Sequence, residues 1–194
     1  PLHRVGAPPR QGGVAPPAVD ISTFPLGDVS GVRLYEGCAY PDFDNRNFDE
    51  PFQMKAAEGV EATAVNEFDC LSDDGALGGV NYLPDAGITG GIPLRGDDVA
   101  EILAADGALV WTPRHDLSLY GTTAPVTVAA NLGVDVALGT EWVVTGSFDL
   151  LSELSCAADF NTNYLDARFS DTELVAMITS NQPRARRPHG RRYR

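Results

Sequence analysis

The chain has 194 residues, enough for one ordinary domain, and its hydrophobic fraction of 43% is sufficient for a real core. Its 27 acidic residues outnumber 14 basic ones, and six of the basic residues are arginines in the last eleven positions. The rest of the chain is therefore strongly acidic, which argues against nucleic acid and anionic membranes as partners.

The cysteine content and the hydropathy of the sequence indicate in which cellular compartment we expect the protein. The three cysteines, Cys38, Cys70 and Cys156, have no metal-like spacing, and such an odd, sparse set predicts reduced thiols in a cytoplasmic compartment. The sequence has no run of 18 apolar residues, so we expect no membrane span. The first residues lack a Met and an apolar signal core, and their Pro and Gly content is typical of a loop or a cut end.

Turn-forming residues dominate positions 1–50, for which we predict an irregular segment. From residue 51 onward, strand and helix patterns alternate. The first pair is a strand in PFQMKAAEG and a helix in VEATAVNEFDCL. The second pair is a strand in AGITGGIPL and a helix in RGDDVAEILAADG, which has an acidic first turn and a Gly stop.

The second half continues the alternation. ALVWTP is a strand candidate, RHDLSLYGTT is predicted to be a loop, and APVTVAANLG is predicted to be a helix. VDVALGT is the fourth strand candidate, and FDLLSELSCAADF is a further helix. A last helix, in SDTELVAMITSN, has Ser170 and Glu173 at the spacing of a capping box. We expect the folded domain to cover residues 51–181 and the Arg-rich residues 182–194 to form a disordered tail.

Four strand–helix units in succession, with near-continuous apolar strands, predict a parallel α/β sheet with helices on its faces. A doubly wound sheet fits the alternation as well as a barrel does, although no G-x-G-x-x-G phosphate loop follows a strand. In both architectures the functional groups lie just past the carboxyl ends of the strands. Those positions are residues 55–58, 90–91, 114–116 and 141–142.

Long segments of the chain resemble the metal-dependent amidohydrolase superfamily, in particular its cytosine deaminase and imidazolonepropionase-like branch. The segments are AAEGVEATAVNEF, VWTPRHDLSLYGTTAPVTVAANLGVDVALGTEW and TGSFDLLSELSCAADFN, supported by FSDTELVAMITSN, TFPLGD and GCAYP. The resemblance spans about residues 20–181. It implies a (β/α)8 TIM-type barrel, of which this chain would supply the carboxyl-terminal half, approximately strands 5–8.

The resemblance also implies a reaction. Members of the superfamily hold one divalent metal, usually zinc or iron, at the strand ends. The ion lowers the pKa of its bound water to about 7, and a carboxylate moves the proton as the water attacks. The implied activity is hydrolysis of non-peptide C–N bonds in small amides or amidines, cyclic ones included.

The family's metal positions are changed in this chain. The family pattern H-x-A-E-G corresponds to KAAEG, which keeps the glutamate as Glu58 but has Lys55 in place of the metal histidine. T-H-x-I-P-L corresponds to TGGIPL, with Gly90 at the histidine position. G-T-D-W corresponds to GTEW, so Glu141 replaces the aspartate that binds the metal and takes the proton. The paired histidines of the first strand, H-x-H, have no counterpart.

Glu58 and Glu141 are therefore the candidate catalytic acids, and Lys55 and Glu141 occupy metal positions. The extra methylene of Glu141 moves its carboxylate by roughly 1.5 Å, and displacements of about 1 Å can cost about a hundredfold in rate. Lys55 could react with CO2 to form a metal-binding carbamate, or its ammonium could replace the metal's charge and pair with Glu141 or Glu58. Ion pairing is favoured because it leaves no buried charge unpaired.

Four further residues are candidates for contact with a small-molecule substrate: Arg114, His115, Tyr120 and Trp142. The first two lie in WTPRHD, where the family has a sequence like W-S-P-R-S-N. A lone His in a polar loop is more often only solvated or hydrogen-bonded. Arg114 and Tyr120 could equally brace the loop.

Two functions remain open on the sequence. In the first, the chain is a hydrolase, truncated and impaired in metal binding, that works with a missing amino-terminal barrel half or in a homo-oligomer. In the second, it is a catalytically inactive amidohydrolase-like fragment with a structural or binding role. Half a barrel has open sheet edges, which favours association with another chain.

Overall fold

A computed structural model describes residues 20–23, 33–40, 52–72 and 81–181. Five strands form one open parallel sheet: β1 (Asp20–Thr23), β2 (Phe52–Ala56), β3 (Ala86–Gly90), β4 (Ala108–Trp111) and β5 (Asp135–Leu138). Six helices accompany them: α1 (Ala62–Leu71), α2 (Gly96–Ala104), α3 (Pro113–Tyr120), α4 (Val126–Leu132), α5 (Leu150–Tyr164) and α6 (Asp171–Thr179).

The strands lie side by side in their order along the chain, from β1 to β5. A doubly wound sheet reverses its strand order at a switch point. Across the described strands there is no such reversal, so the doubly wound alternative is wrong. A parallel sheet whose strands are added in one direction, with helices between them, is the wall of a (β/α)8 barrel, and the predicted α/β fold class is confirmed in this partial form.

Alternation along β2 places polar and apolar side chains on opposite faces of the sheet. Phe52, Met54 and Ala56 are buried in the core, whereas Gln53 and Lys55 are only partly buried. Gln53 donates a hydrogen bond to Thr89 Oγ1 of β3, with a distance of 2.8 Å from its Nε2 atom. Lys55 lies in register with Thr89, so the polar face of β2 and β3 extends to the carboxyl ends of the strands.

The apolar face carries the main core. Its largest fully buried apolar side chains come from strands β2 to β5, from helices α1, α2 and α6, and from the segment before β3: Trp111, Phe68, Met54, Leu71, Leu83, Ile88, Ile102, Leu109, Leu138 and Met177. The near-continuous apolar strands predicted from the sequence are thus covered by helices, as a parallel sheet requires.

Two predicted elements differ from the structure. The segment 1–50 was expected to be irregular, but residues 20–23 form β1, which pairs with β2 in parallel. Four residues are too few to show a strand period, and the backbone of β2 supplies the pairing. The predicted loop RHDLSLYGTT holds most of helix α3, which begins one residue earlier, at Pro113, and ends before the left-handed Gly121. Those two residues are ordinary helix start and stop signals, but no apolar repeat joins them.

The expectation of reduced thiols is wrong for two of the three cysteines. Cys38 and Cys70 form a disulfide that ties the segment 33–40 to α1, while Cys156 is free. Cysteines 32 residues apart give no spacing signal in the sequence. Because disulfides persist mainly in oxidising compartments, the argument for a cytoplasmic location loses its basis.

The capping-box prediction is confirmed, whereas the predicted tail stays untested. The Ser170–Glu173 capping box is present at the start of α6. The predicted tail, residues 182–194, lies outside the described residues. Within the part of the chain that is described, no helix is both long and apolar enough to cross a bilayer.

Cys70→Ser should lower the free energy of unfolding by about 3 kcal/mol, because the disulfide restricts a long loop of the unfolded chain. Urea denaturation without reductant measures this loss, with Cys156→Ser as the matched control. Thiol titration of the unfolded native chain should find one free thiol. Three free thiols, together with equal stability of the Cys70→Ser variant, would contradict the disulfide.

Candidate active site

Lys55 lies between two carboxylates at the carboxyl ends of the strands. Its Nζ atom is 2.8 Å from Glu58 Oε2 and 3.1 Å from Glu141 Oε2. The Lys55 side chain is 25% exposed and each glutamate 16%, so water screens these ion pairs only partly. The ion pairing favoured from the sequence is confirmed, with both acids rather than one.

His115 completes the cluster from helix α3. Its Nε2 atom lies 2.8 Å from Glu58 Oε1, and its Nδ1 atom lies 2.6 Å from Thr145 Oγ1. Because Glu58 is ionised, Nε2 is the donor in the first of these contacts. The Thr145 hydroxyl also donates to the Trp142 carbonyl at 3.3 Å. His115 is only 3% exposed. Of the two expectations, a solvated or a hydrogen-bonded residue, the second is correct, because α3 turns the ring inward toward Glu58 and Thr145.

Glu58 receives hydrogen bonds from three side chains. Besides Lys55 and His115, the Tyr120 hydroxyl donates to it. Burial alone would raise the pKa of Glu58, but the hydrogen bonds from Lys55 and His115 and their charges together lower it below its ordinary value. Burial would likewise lower the pKa of Lys55, but hydrogen bonding and attraction to Glu58 and Glu141 raise it overall. Lys55 and Glu58 are therefore both charged at neutral pH.

Burial also dominates the pKa of Tyr120. Together with the charge of Glu58 and the hydrogen bond to it, burial raises the pKa of the phenol to about 12. Tyr120 therefore stays protonated and acts as a donor to Glu58 at any physiological pH.

Helix α3 is fixed at its start by a buried network. The Asp116 carboxylate accepts hydrogen bonds from Thr112 Oγ1 at 2.8 Å and from Thr123 Oγ1 at 2.7 Å. Thr123 in turn accepts a hydrogen bond from Trp111 Nε1 at 2.7 Å. Burial raises the pKa of Asp116 to about 6 despite these hydrogen bonds. The network joins β4, α3 and the segment after α3, and so sets the position of His115.

Two of the residues predicted to contact a substrate do not join the Lys55 cluster: Arg114 and Trp142. Arg114 donates from Nε to Ser147 Oγ at 2.8 Å, and its backbone N–H donates to the buried Glu153 Oε1 at 2.9 Å. Trp142 follows Glu141 but is 67% exposed. Through these two contacts Arg114 braces the start of α3.

Three residues near the cluster were not singled out from the sequence: Arg33, Glu67 and Thr145. Glu67 on α1 is buried, accepts a hydrogen bond from the Ala57 backbone at 3.1 Å, and lies 3.3 Å from Arg33 Nε. Burial raises the pKa of Glu67 to about 7, against the opposing charge of Arg33. Its only sequence signal is an acid on an otherwise apolar helix face. Arg33 and Thr145 carry no signal of their own.

The arrangement does not fit a divalent metal ion. The Lys55 ammonium occupies the space between Glu58 and Glu141, where it would repel a cation. Gly90, at the family's histidine position, has a φ of +96°, and a Cβ atom added there would lie 2.5 Å from the Ala56 carbonyl oxygen. Among the described residues, no three His, Cys, Asp or Glu side chains are grouped to bind one ion.

Lys55→Met should cost about 1–2 kcal/mol of unfolding free energy at pH 7, because it leaves Glu58 and Glu141 partly buried without their cation. The pKa of Glu58 is lowered, so this stabilisation is present above the unfolded-state value of 4.5 and is lost as the pH falls through the folded-state value. The cost should therefore shrink toward pH 3.

Urea denaturation of Lys55→Met, Glu58→Gln and the double variant measures the coupling between the two charges. A non-additivity at pH 7 that disappears at pH 3 is expected. Additive losses at both pH values would show that the pair contributes nothing.

Glu67 should make the chain more stable as the pH falls from 7.5 to 5. Between the unfolded value of 4.5 and the folded value of about 7, the native state binds a proton that the unfolded state lacks. The expected gain is on the order of 2 kcal/mol, and Asp116 adds to it with the same sign. Glu67→Gln should flatten this pH dependence in urea denaturation. Parallel curves for the native chain and the variant would contradict the assignment.

Known structures resemble this fold, whereas no family model and no curated protein matches the sequence. Atrazine chlorohydrolase TrzN from Arthrobacter aurescens TC1, complexed with zinc, superimposes with a TM-score of 0.56 at 19% identity, over 69% of this chain and 31% of that one. Guanine deaminase from C. acetobutylicum, with bound guanine, gives 0.54 at 17% identity, over 68% and 34%.

The chain spans about a third of the length of these structures. Both are members of the metal-dependent amidohydrolase superfamily. The resemblance inferred from the sequence is thus confirmed at the level of the fold: the chain has the architecture of part of the barrels of these two proteins.

Proposed function

We propose that this chain supplies the acid–base side of an amidohydrolase-type site, which hydrolyses a non-peptide C–N bond in a small amide or amidine, cyclic substrates included. The observation that carries the proposal is the meeting of Lys55, Glu58, His115 and Glu141 at the carboxyl ends of the strands. Active sites of TIM barrels lie at this end.

Each member of the cluster has a role in the proposal. Glu58 and Glu141 are the carboxylates that accept a proton from water and return it to the leaving nitrogen. His115 donates from Nε2 to Glu58 Oε1 and so orients that carboxylate. Lys55 has three N–H donors, of which the two glutamates take two. Among the described residues no further acceptor for Lys55 is found, and in the proposal its third N–H donates to a developing negative charge on the substrate. Tyr120 keeps Glu58 oriented through its hydrogen bond.

Metal binding is impaired in this proposal. By family, one zinc or iron ion would supply a low-pKa water, and Glu141 with Glu58 or His115 would be its remaining oxygen and nitrogen ligands. The Lys55 ammonium supplies positive charge at that place instead. We infer that the chain binds a divalent ion weakly as long as Lys55 is charged.

The partner in the proposal is either the amino-terminal half of a barrel or a second copy of this chain in a homo-oligomer. The solved structures with this fold are about three times as long as the part that this chain matches. The described sheet is open, and β1 and β5 each have one neighbouring strand. Parallel edges of this kind are commonly covered or paired.

A catalytically inactive binding protein is the second candidate, and one observation favours it. Glu58 has a lowered pKa and already accepts from Lys55, His115 and Tyr120. A weakly basic carboxylate removes a proton from water poorly at neutral pH. The same contacts would serve a purely structural network.

Metal content and hydrolysis separate these candidates. The native chain should bind far less than one zinc per chain, and Lys55→His with Glu141→Asp should raise the content toward one. Gly90→His is not included because the backbone of Ala56 leaves no room for its Cβ. Zinc at one equivalent in the native chain would overturn the impairment of metal binding.

Hydrolysis is measured as ammonia or amine release from a panel of cyclic amides and amidines. In the proposal, Glu58→Gln lowers kcat by about a hundredfold or more, whereas Glu173→Gln on the distant α6 leaves it unchanged. Release that is equal in the native chain and Glu58→Gln, or absent from both across the panel, would support the inactive candidate.

A further inference from the structure

The turn that carries Glu58 has an unfavourable backbone conformation. Ala57 has a φ of 51° and Gly59 a φ of 136°, so two of three consecutive residues lie at positive φ. A left-handed alanine costs free energy that surrounding contacts must offset. Yet this turn places Glu58 within 2.8 Å of both Lys55 and His115. Something in the structure must hold it.

One side of the turn is fixed by β3. Gly91 N–H donates to the Ala56 carbonyl at 3.0 Å, and Ile92 N–H donates to the Ala57 carbonyl at 3.2 Å. These two bonds lie just past the last paired residues of β2 and β3. They satisfy the carbonyl groups before Glu58 but leave the Ala57 N–H and the Glu58 carbonyl to find other partners.

Glu67 and Arg33 supply those two partners. Glu67 Oε2 accepts from the Ala57 N–H at 3.1 Å, and Arg33 Nη2 donates to the Glu58 carbonyl at 2.9 Å. Arg33 Nε and Glu67 Oε1 lie 3.3 Å apart, so the two side chains also form an ion pair. Glu67 is 1% exposed, which makes its contacts costly to lose.

Gly59 leaves the space in which the guanidinium lies. A Cβ atom at position 59 would be 3.2 Å from Arg33 Nη1 and 2.5 Å from Glu61 Oε2. The glycine therefore serves two needs at once, its positive φ and the close approach of the Arg33 side chain. The Arg33 guanidinium thus packs directly against the turn.

The segment that carries Arg33 is also linked to the helix that carries Glu67. Arg33 belongs to the segment 33–40, which the Cys38–Cys70 disulfide joins to α1, the helix of Glu67. Asn66 Nδ2 on the same helix donates to the Gly37 carbonyl at 2.9 Å. Residues more than 30 positions apart in the sequence are therefore presented to the turn together.

We propose that Arg33 and Glu67 are positioning residues, which hold the 57–59 turn in the conformation that presents the Glu58 carboxylate to Lys55 and His115. The inference deepens the proposed function, on which it rests for the role of Glu58 in proton transfer. The contact between Glu58 and His115 is measurable without any substrate, so a failure of the proposed activity and a failure of this inference give different results.

The test is NMR of the full chain labelled with 15N at histidine. The chain has three histidines, and His115→Asn assigns the signals of His115. The Nε2 proton that His115 donates to Glu58 is buried and should exchange slowly with water. Glu58→Gln gives the reference for an altered contact.

Arg33→Ala and Glu67→Ala should each speed exchange of this proton by about tenfold and move the ring nitrogen shifts toward those of Glu58→Gln. Glu67→Gln retains an acceptor oxygen for the Ala57 N–H and should have a smaller effect. Arg168→Ala is the matched control, because Arg168 is a comparably exposed arginine in an ion pair with Glu173 on α6.

Folding is verified by the same spectra. Arg33 is partly exposed, and its replacement removes no buried volume from the apolar core, so this variant remains informative if Glu67→Ala unfolds. A folded Arg33→Ala chain with the exchange rate and ring shifts of the native protein would overturn the inference. An equal change in Arg168→Ala would also overturn it, because the effect would then be general destabilisation.

Discussion

The contact on which the candidate site depends is the Lys55 ammonium between Glu58 and Glu141. It joins residues from the ends of β2 and β5, the second and last strands of the described sheet, across 86 positions of sequence. Two carboxylates that meet at one partly buried place would repel each other. A cation that contacts both replaces this repulsion by attraction. The same charge would repel a divalent ion at this place. One residue, Lys55, therefore accounts for both the cohesion of the cluster and its poor fit to a metal.

The acids around this contact divide into two groups by environment. Glu58 receives a cation and hydrogen bonds, which lower its pKa in spite of burial. Glu67 and Asp116 lie behind it in α1 and α3, where burial dominates and raises their pKa values to about 7 and about 6. Carboxylates with pKa values pushed apart by their surroundings are a common feature of functional sites. Here the second group fixes the elements that carry Glu58 and His115.

The sequence predicts the sheet well because its signals are local. Apolar strands alternate with helices, and the capping box at Ser170 marks a helix start that the structure contains. Family resemblance places Lys55, Glu58 and Glu141 at the strand ends, and the favoured ion pair follows from charge alone. Strand β1 is too short for a period, and helix α3 has caps but no apolar repeat.

The remaining features depend on contacts distant in sequence. The Cys38–Cys70 disulfide, the inward orientation of His115 and the seating of Arg33 against Gly59 all bring together segments that no spacing relates. Burial of Glu67 is likewise a property of the packed turn, not of the helix sequence. These are the parts that position the site, whereas the local patterns determine the scaffold.

The most direct measurement is the 15N NMR signal of the Lys55 side chain, since Lys55 is the only lysine in the chain. We expect one ammonium resonance, whose shift remains that of the charged form above pH 10.5 because the pKa of Lys55 is raised. The resonance should not move when zinc is added. A carbamate signal that depends on dissolved CO2, or loss of the ammonium resonance at one equivalent of zinc, would contradict this expectation.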